Sequence, residues 1–171
     1  AFWRDWASHV RLPPTYQDVV IRSLLTLKAC TYRPSGAIVA APTFGLPETP
    51  GGERNWDYRF TWIRDSVLTL DSLMRAGLTA EAQAFGEWFI DAIGGAPGQF
   101  QIMYGIRGER ILTENTLPWL SGYEASTPVR IGNGAYTQFQ LDVLGELMSS
   151  IDAYSQTVGR MHRGLSQRDI D

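Results

Sequence analysis

Asn55-Trp-Asp-Tyr-Arg-Phe-Thr-Trp-Ile-Arg-Asp65 interleaves aromatic rings with charged and amide side chains. It runs into a helical stretch at about 62–76, where Val67, Leu70 and Met74 share one face and Gly77 supplies a stop. The Arg64-Asp65 pair therefore stands at a helix mouth. Two readings fit it. In one, Asp65 is a first-turn acid that complements the helix dipole and Arg64 braces a loop. In the other, the adjacent donor and acceptor grip neighbouring hydroxyls of one sugar, with Trp56, Tyr58 and Trp62 walling the ring. Spacing alone supports both equally.

Three further stretches carry helical periodicity. The first spans about 15–30, where Val19, Val20, Leu24, Leu25 and Leu27 follow Pro13-Pro14, a pair that can lead into a helix but not sit inside one. Another spans about 79–94. It starts at Thr79 as N-cap with Glu81 in the first turn, turns Ala82, Phe85, Phe89 and Ile93 inward, and ends at Gly94-Gly95. The last and longest spans about 133–157, with Asn133 as cap and Tyr136, Phe139, Val143, Leu147, Ile151 and Tyr154 as its apolar stripe. Because only a few residues around Gly77-Leu78 join 62–76 to 79–94, these two should form an antiparallel αα-hairpin. An all-α fold is the expectation.

The intervals 31–60 and 95–132 are longer than ordinary connections and hold seven of the nine prolines and ten of the seventeen glycines, so they read as ordered, turn-rich loops that carry function. Within the second, Gln99-Phe-Gln-Ile-Met-Tyr104 and Arg110-Ile-Leu-Thr113 flank Gly105-Ile-Arg-Gly108, the pattern of a short β-hairpin. Both loops are aromatic: Tyr32, Phe44, Trp56, Tyr58, Phe60, Trp62, Phe100, Tyr104, Trp119 and Tyr123 lie in them or at their edges. Such rings either stack on the apolar face of a sugar or plug the ends of a helical barrel.

Composition narrows the function classes. The chain has 171 residues, 44% of them hydrophobic and 19% charged, with a formal charge of -3, which fits a mildly acidic globular protein and not a basic nucleic-acid binder. Its longest apolar run, Ala37-Ile-Val-Ala-Ala41, falls far short of the ~20 residues that span a bilayer. Residues 1–10 carry charges where an export signal needs an apolar core, so a cytoplasmic location is the expectation. Cys30 is the only cysteine and reads as a buried apolar residue; His9 and His162 lack metal-ligand spacing. Ala1 in place of Met and the polar stretch Ser166-Gln-Arg-Asp-Ile-Asp171 fit a piece of a longer chain.

Gly52-Glu-Arg-Asn-Trp-Asp-Tyr-Arg-Phe-Thr-Trp-Ile-Arg-Asp-Ser66, preceded by Ser35-Gly-Ala-Ile-Val-Ala-Ala-Pro-Thr43 and Leu46-Pro-Glu48, resembles the glucoamylase-like glycoside hydrolases of family 15, a group of prokaryotic glucoamylases, glucodextranases and some bacterial trehalases. The resemblance continues in order through Gln101-Ile-Met-Tyr-Gly105, Gly108-Glu109, Leu120-Ser-Gly-Tyr123, Pro128-Val-Arg-Ile-Gly-Asn133 and Gln140-Leu-Asp-Val-Leu-Gly-Glu146. It implies an (α/α)6 toroid of six helical hairpins, of which residues 1–171 would be the N-terminal portion. It also implies inverting, exo-acting hydrolysis of α-glucosides by two glutamates, whose carboxyl groups stand roughly 6.5–9.5 Å apart to admit a water. Neither glutamate motif occurs in this chain, so the resemblance assigns it no catalytic residue, and the implied chemistry requires no metal or organic cofactor.

What the resemblance does assign is the innermost sugar subsite. By motif position, Arg64 and Asp65 would bind hydroxyls of the non-reducing glucose. Tyr58 would face the oxocarbenium-like transition state, Trp62 would pack at the site, and Arg130 would be a second site-facing arginine. Thr127 stands before Pro128 where many relatives carry an arginine, so the outer subsites do not follow. The implied partners are an α-linked glucose oligosaccharide or trehalose and the remainder of the same barrel, with no nucleic acid and no membrane. A rival from another class is a non-catalytic glucoamylase-like scaffold, as in the regulatory subunits of phosphorylase kinase. Among other acids, Glu48, Glu53, Glu109, Glu114 and Glu124 read as loop-bracing or solvated. Asp57 reads as a brace for Arg59 or Arg54, and Asp142 and Glu146 as one exposed helix face or a groove wall.

Overall fold

A computed structural model of the chain describes residues 2–93, 100–149, 151–152 and 155. Helices dominate: α1 (Phe2–Ser8), α2 (Gln17–Ala29), α3 (Ile63–Arg75), α4 (Thr79–Ile93) and α5 (142–149). Strands are two-residue pieces in the loops: β1 (Thr61–Trp62), β2 (Met103–Tyr104), β3 (Asn115–Thr116) and β4 (Arg130–Ile131). The all-α expectation holds, and the described residues do not close a barrel.

The α3–α4 hairpin forms as its short connection requires. Gly77 adopts φ +84, a left-handed conformation that L side chains resist. Its N–H donates to Met74 O at 2.9 Å, and the N–H of Leu78 reaches back to Leu73 O at 2.9 Å. These two bonds make a Schellman closure, which satisfies carbonyls the helix end would otherwise orphan. Leu73 and Leu78 are both buried in the same apolar cluster, with Trp6, Leu24 and Ala76. That cluster seats α1 and α2 against the turn. A buried carboxylate crosses it: Glu81 accepts hydrogen bonds from the Trp6 indole and from Lys28 Nζ, each at 2.8 Å, and so joins α1, α2 and α4.

The larger core is built from Val67 and Leu70 of α3, Phe85, Trp88 and Phe89 of α4, and loop residues Ile38, Ile102, Met103 and Tyr104. Residues from both long loops enter this core and anchor their described parts to it. Gly36, at φ +88, lies so close to α4 that a Cβ there would overlap the Ala84 carbonyl. The aromatic residues divide accordingly. Tyr104 is fully buried edge-on to Trp88, and Phe100 stands edge-on to Phe89, so these plug the fold. Tyr58, Trp119 and Tyr123 are exposed.

Three expectations are corrected. The stretch 133–157 is not one helix. Asn133 accepts a hydrogen bond from the Ala135 N–H and caps only the 3-10 turn Gly134–Thr137, which ends at extended Gln138; helix resumes at 142. The Thr137 hydroxyl donates to Gly134 O, and Gln138 N bonds Ala135 O, three residues back, a tight closure that does not propagate as an α-helix. Phe139 therefore leaves the stripe and is exposed, whereas Val143 is buried. Second, the 105–109 turn closes through Gly105 N to Glu109 O, but the strand before it pairs elsewhere, Thr61 with Tyr104 and Trp62 with Met103. Asn115–Thr116 pairs with Arg130–Ile131. Third, Val19 of α2 is exposed, and Leu24 carries that helix's burial. Tyr154, Gly94-Gly95, Gln99 and the Ile93 side chain lie outside the described residues.

Candidate functional site

The mouth of α3 is fixed from three sides. β1 pairs with β2, and the Ile63 N–H extends that pairing to Ile102 O at 3.0 Å. The buried Ser66 hydroxyl lies 2.8 Å from Trp62 O and 3.2 Å from Ile38 O, joining the first turn to the 31–41 loop. That loop is in turn laced to the approach segment, Ala40 N to Phe60 O and Ala41 N to Tyr58 O. Trp62 occupies the N-cap position in an extended conformation, with no side-chain cap. Backbone and core packing, not capping chemistry, therefore set where Arg64 and Asp65 project.

Asp65 lies in the first turn of α3, so the dipole expectation is met and does not by itself exclude a ligand role. Its side chain is 42% exposed, yet Oδ2 is shut from solvent and has no hydrogen-bond partner. The nearest cation is Arg64 Nη2 at 3.8 Å, inside ion-pair range and beyond a hydrogen bond. Two neighbours share this condition: the Thr61 hydroxyl and the Trp62 indole N–H are buried and unpartnered. Buried polar atoms without partners are uncommon, because each forfeits the hydrogen bonds it had in water. Thr61 is wholly enclosed, whereas Trp62 and Asp65 are only partly buried, so Trp62 and Asp65 are the two of the three that present surface at the helix mouth.

Arg64 is 40% exposed and lies 5.9 Å from the Trp62 ring centroid. Its Nη1 is shared by Gln140 Oε1 at 3.4 Å and Asp142 Oδ2 at 3.3 Å. Asp142 is exposed and reaches Arg64 of α3, a contact that its spacing from Glu146 allowed but could not select. Tyr58 is 36% exposed. Burial, and then the charges of Glu48 and Asp65, push its phenol above the ordinary value, so the ring is kept neutral.

Arg130 is turned into the loops. Its Nη1 donates to Glu53 O at 2.8 Å and Asn55 Oδ1 at 3.0 Å, its Nε pairs with Glu114 at 3.2 Å, and its guanidinium stacks 4.6 Å from the Trp56 ring centroid. The Trp56 indole donates to Glu48 at 3.3 Å. Glu48 and Glu114 are loop braces. Asp57 is the strongest one: fully buried, it takes both ends of the Arg59 fork at 2.9 Å and the Gly132 N–H at 3.1 Å. The sequence pointed to Arg59 but gave no sign of the Gly132 contact, which depends on the long-range approach of β4. Burial raises the Cys30 thiol above its ordinary value, in keeping with a core residue. Among the described residues no group of three or more His, Cys, Asp or Glu is arranged to hold a metal, and no helix is long and apolar enough to cross a membrane.

Residues 14–169 match the family of glycosyl hydrolases family 15. The chain belongs to that family. Its helical hairpin and loop-borne strands fit part of the all-α six-hairpin domain. Similar proteins include a trehalase of Mycolicibacterium smegmatis, 48% identical over 91% of this chain and 24% of its own length. A trehalase of Mycobacterium tuberculosis is 46% identical over 91% of this chain and 23% of its own. One from Thermoplasma acidophilum is 41% identical over 92% and 27%. This family-15 chain thus spans about a quarter of the length of the curated relatives it matches. No solved structure matches it.

Proposed function

We propose that this family-15 chain is the N-terminal portion of the six-hairpin domain of an inverting, exo-acting α-glucoside hydrolase acting on trehalose, and that it supplies most of the −1 glucose subsite. The observation that carries this reading is the Arg64–Asp65 pair at the mouth of α3: both side chains are about two-fifths exposed, 3.8 Å apart, with the Trp62 ring 5.9 Å from the guanidinium. A glucose ring offers hydroxyls that both donate and accept, and a C–H face for Tyr58 and Trp62. Arg130 backs the wall by stacking on Trp56. Because the similar proteins are named trehalases, trehalose is the substrate favoured in this reading over longer glucans. The two catalytic carboxyl groups would come from the remainder of the barrel, and the site of action would be the cytoplasm.

Glucose release from trehalose, maltose and isomaltose by the full-length protein tests this, with fractionation of the producing cells testing the location. Trehalose should be the preferred substrate, the first product should have inverted anomeric configuration, and Asp65→Ala should abolish most turnover. Trehalose bound without hydrolysis would support the scaffold reading instead, and no interaction with any α-glucoside would refute both.

A further inference from the structure

Arg64 and Asp65 are consecutive residues of α3, where neighbouring side chains diverge, yet Arg64 Nη2 still comes within 3.8 Å of Asp65 Oδ2, so the long guanidinium has the reach to close on the carboxylate. Here Nη1 is drawn the other way, by Asp142 Oδ2 at 3.3 Å and Gln140 Oε1 at 3.4 Å. Both acceptors are themselves fixed. Gln140 Nε2 donates to Gln138 Oε1 at 3.2 Å, which sets the amide so that its oxygen faces Arg64. Asp142 is the first residue of α5, and the next residue, Val143, is 1% exposed in the main core. The carboxylate therefore has a backbone anchored by packing.

We infer that Asp142, assisted by Gln140, is a positioning residue: it holds the Arg64 guanidinium off Asp65, so that the exposed part of the Asp65 carboxylate and the Nη2 edge of Arg64 both stay free for ligand hydroxyls. This rests on the sugar-binding reading of Arg64 and adds to it a second segment, 138–142, that reaches no ligand in its own right. Removing Asp142 lets Arg64 collapse onto Asp65. Each then satisfies the other, and the site loses a donor and an acceptor together.

The test is a double-mutant cycle in the full-length enzyme with trehalose as substrate, using Asp142→Ala, Arg64→Ala and the double variant. Asp142→Ala should lower kcat/KM about ten-fold, the order of one lost charged contact. Asp142→Asn, which keeps an acceptor, should lie between it and wild type. In the Arg64→Ala background Asp142→Ala should add nothing, because its effect runs through Arg64; an independent structural role would add in full, and that result would overturn the inference. Wild-type kinetics for Asp142→Ala beside a crippled Arg64→Ala would also overturn it while leaving the sugar-binding reading intact. Wild-type kinetics for Arg64→Ala would remove that reading and the inference with it. If Asp142→Ala does not fold, the near-isosteric Asp142→Asn is carried through the same cycle, and an unchanged kcat/KM there counts against the inference.

Discussion

Arg64 Nη2 stands 3.8 Å from Asp65 Oδ2, close enough to attract and too far to satisfy. Oδ2 is sealed from solvent, but the side chain as a whole is 42% exposed, so the rest of the carboxylate can accept from a ligand hydroxyl. Asp65→Asn nearly preserves shape but replaces one acceptor oxygen by a donor. It should reduce kcat/KM on trehalose by roughly 10- to 100-fold, corresponding to about 1.5–3 kcal/mol for a hydrogen bond to a charged group. Steady-state kinetics on the full-length enzyme checks this.

The Glu81–Lys28–Trp6 junction makes a pH prediction. Burial pushes the Glu81 carboxyl up, but hydrogen bonds from Lys28 and Trp6 and a backbone hydrogen bond outweigh it and leave it below the ordinary value. A carboxyl lowered by folding stabilises at pH values above its unfolded pKa, and that contribution is lost as pH falls through the folded one. Glu81→Gln should destabilise at pH 7 by roughly 3 kcal/mol, since it leaves Lys28 unpaired in a largely buried position. The deficit relative to wild type should shrink below about pH 4. Denaturant titrations at neutral and acid pH measure both.

Gly77→Ala tests the hairpin turn. At φ +84 an alanine costs about 1–2 kcal/mol of backbone strain, and its Cβ would also press on the Arg11 side chain. The melting temperature should fall without change in KM, because the turn lies at the other end of α3 from Arg64.

Asp57→Ala should do more. It removes both partners of the Arg59 fork and the acceptor for Gly132 N–H from a fully buried position. Arg59 is 42% exposed and can be rehydrated, so a loss of about 2–3 kcal/mol is expected, below the full range for a buried pair. Hydrogen exchange at residues 129–133 should accelerate with it.

Legibility from sequence followed the range of the interactions. The α3–α4 hairpin was readable because periodicity and a C′ glycine are local signals, and Gly77 and Leu78 close the turn they announce. The 133–157 stripe misled because its period persists across Gln138, where side-chain and three-residue backbone bonds break the helix regardless of apolar spacing. The β-hairpin expectation found the right turn at 105–109 but not the partner, since β2 pairs with β1 about forty residues earlier and nothing near Tyr104 encodes Thr61. The place of Arg64 and Asp65 at a helix mouth was legible from the 62–76 periodicity, which left their role open. The contact of Arg64 with Asp142 was not legible, because it depends on a segment more than seventy residues away.

The most direct test of the proposal is kcat/KM on trehalose for the full-length enzyme carrying Arg64→Ala. If Arg64 and Asp65 bind the terminal glucose, the value falls by at least about ten-fold while the melting temperature stays within a few degrees of wild type. Wild-type kcat/KM in a stably folded Arg64→Ala enzyme would contradict the proposal.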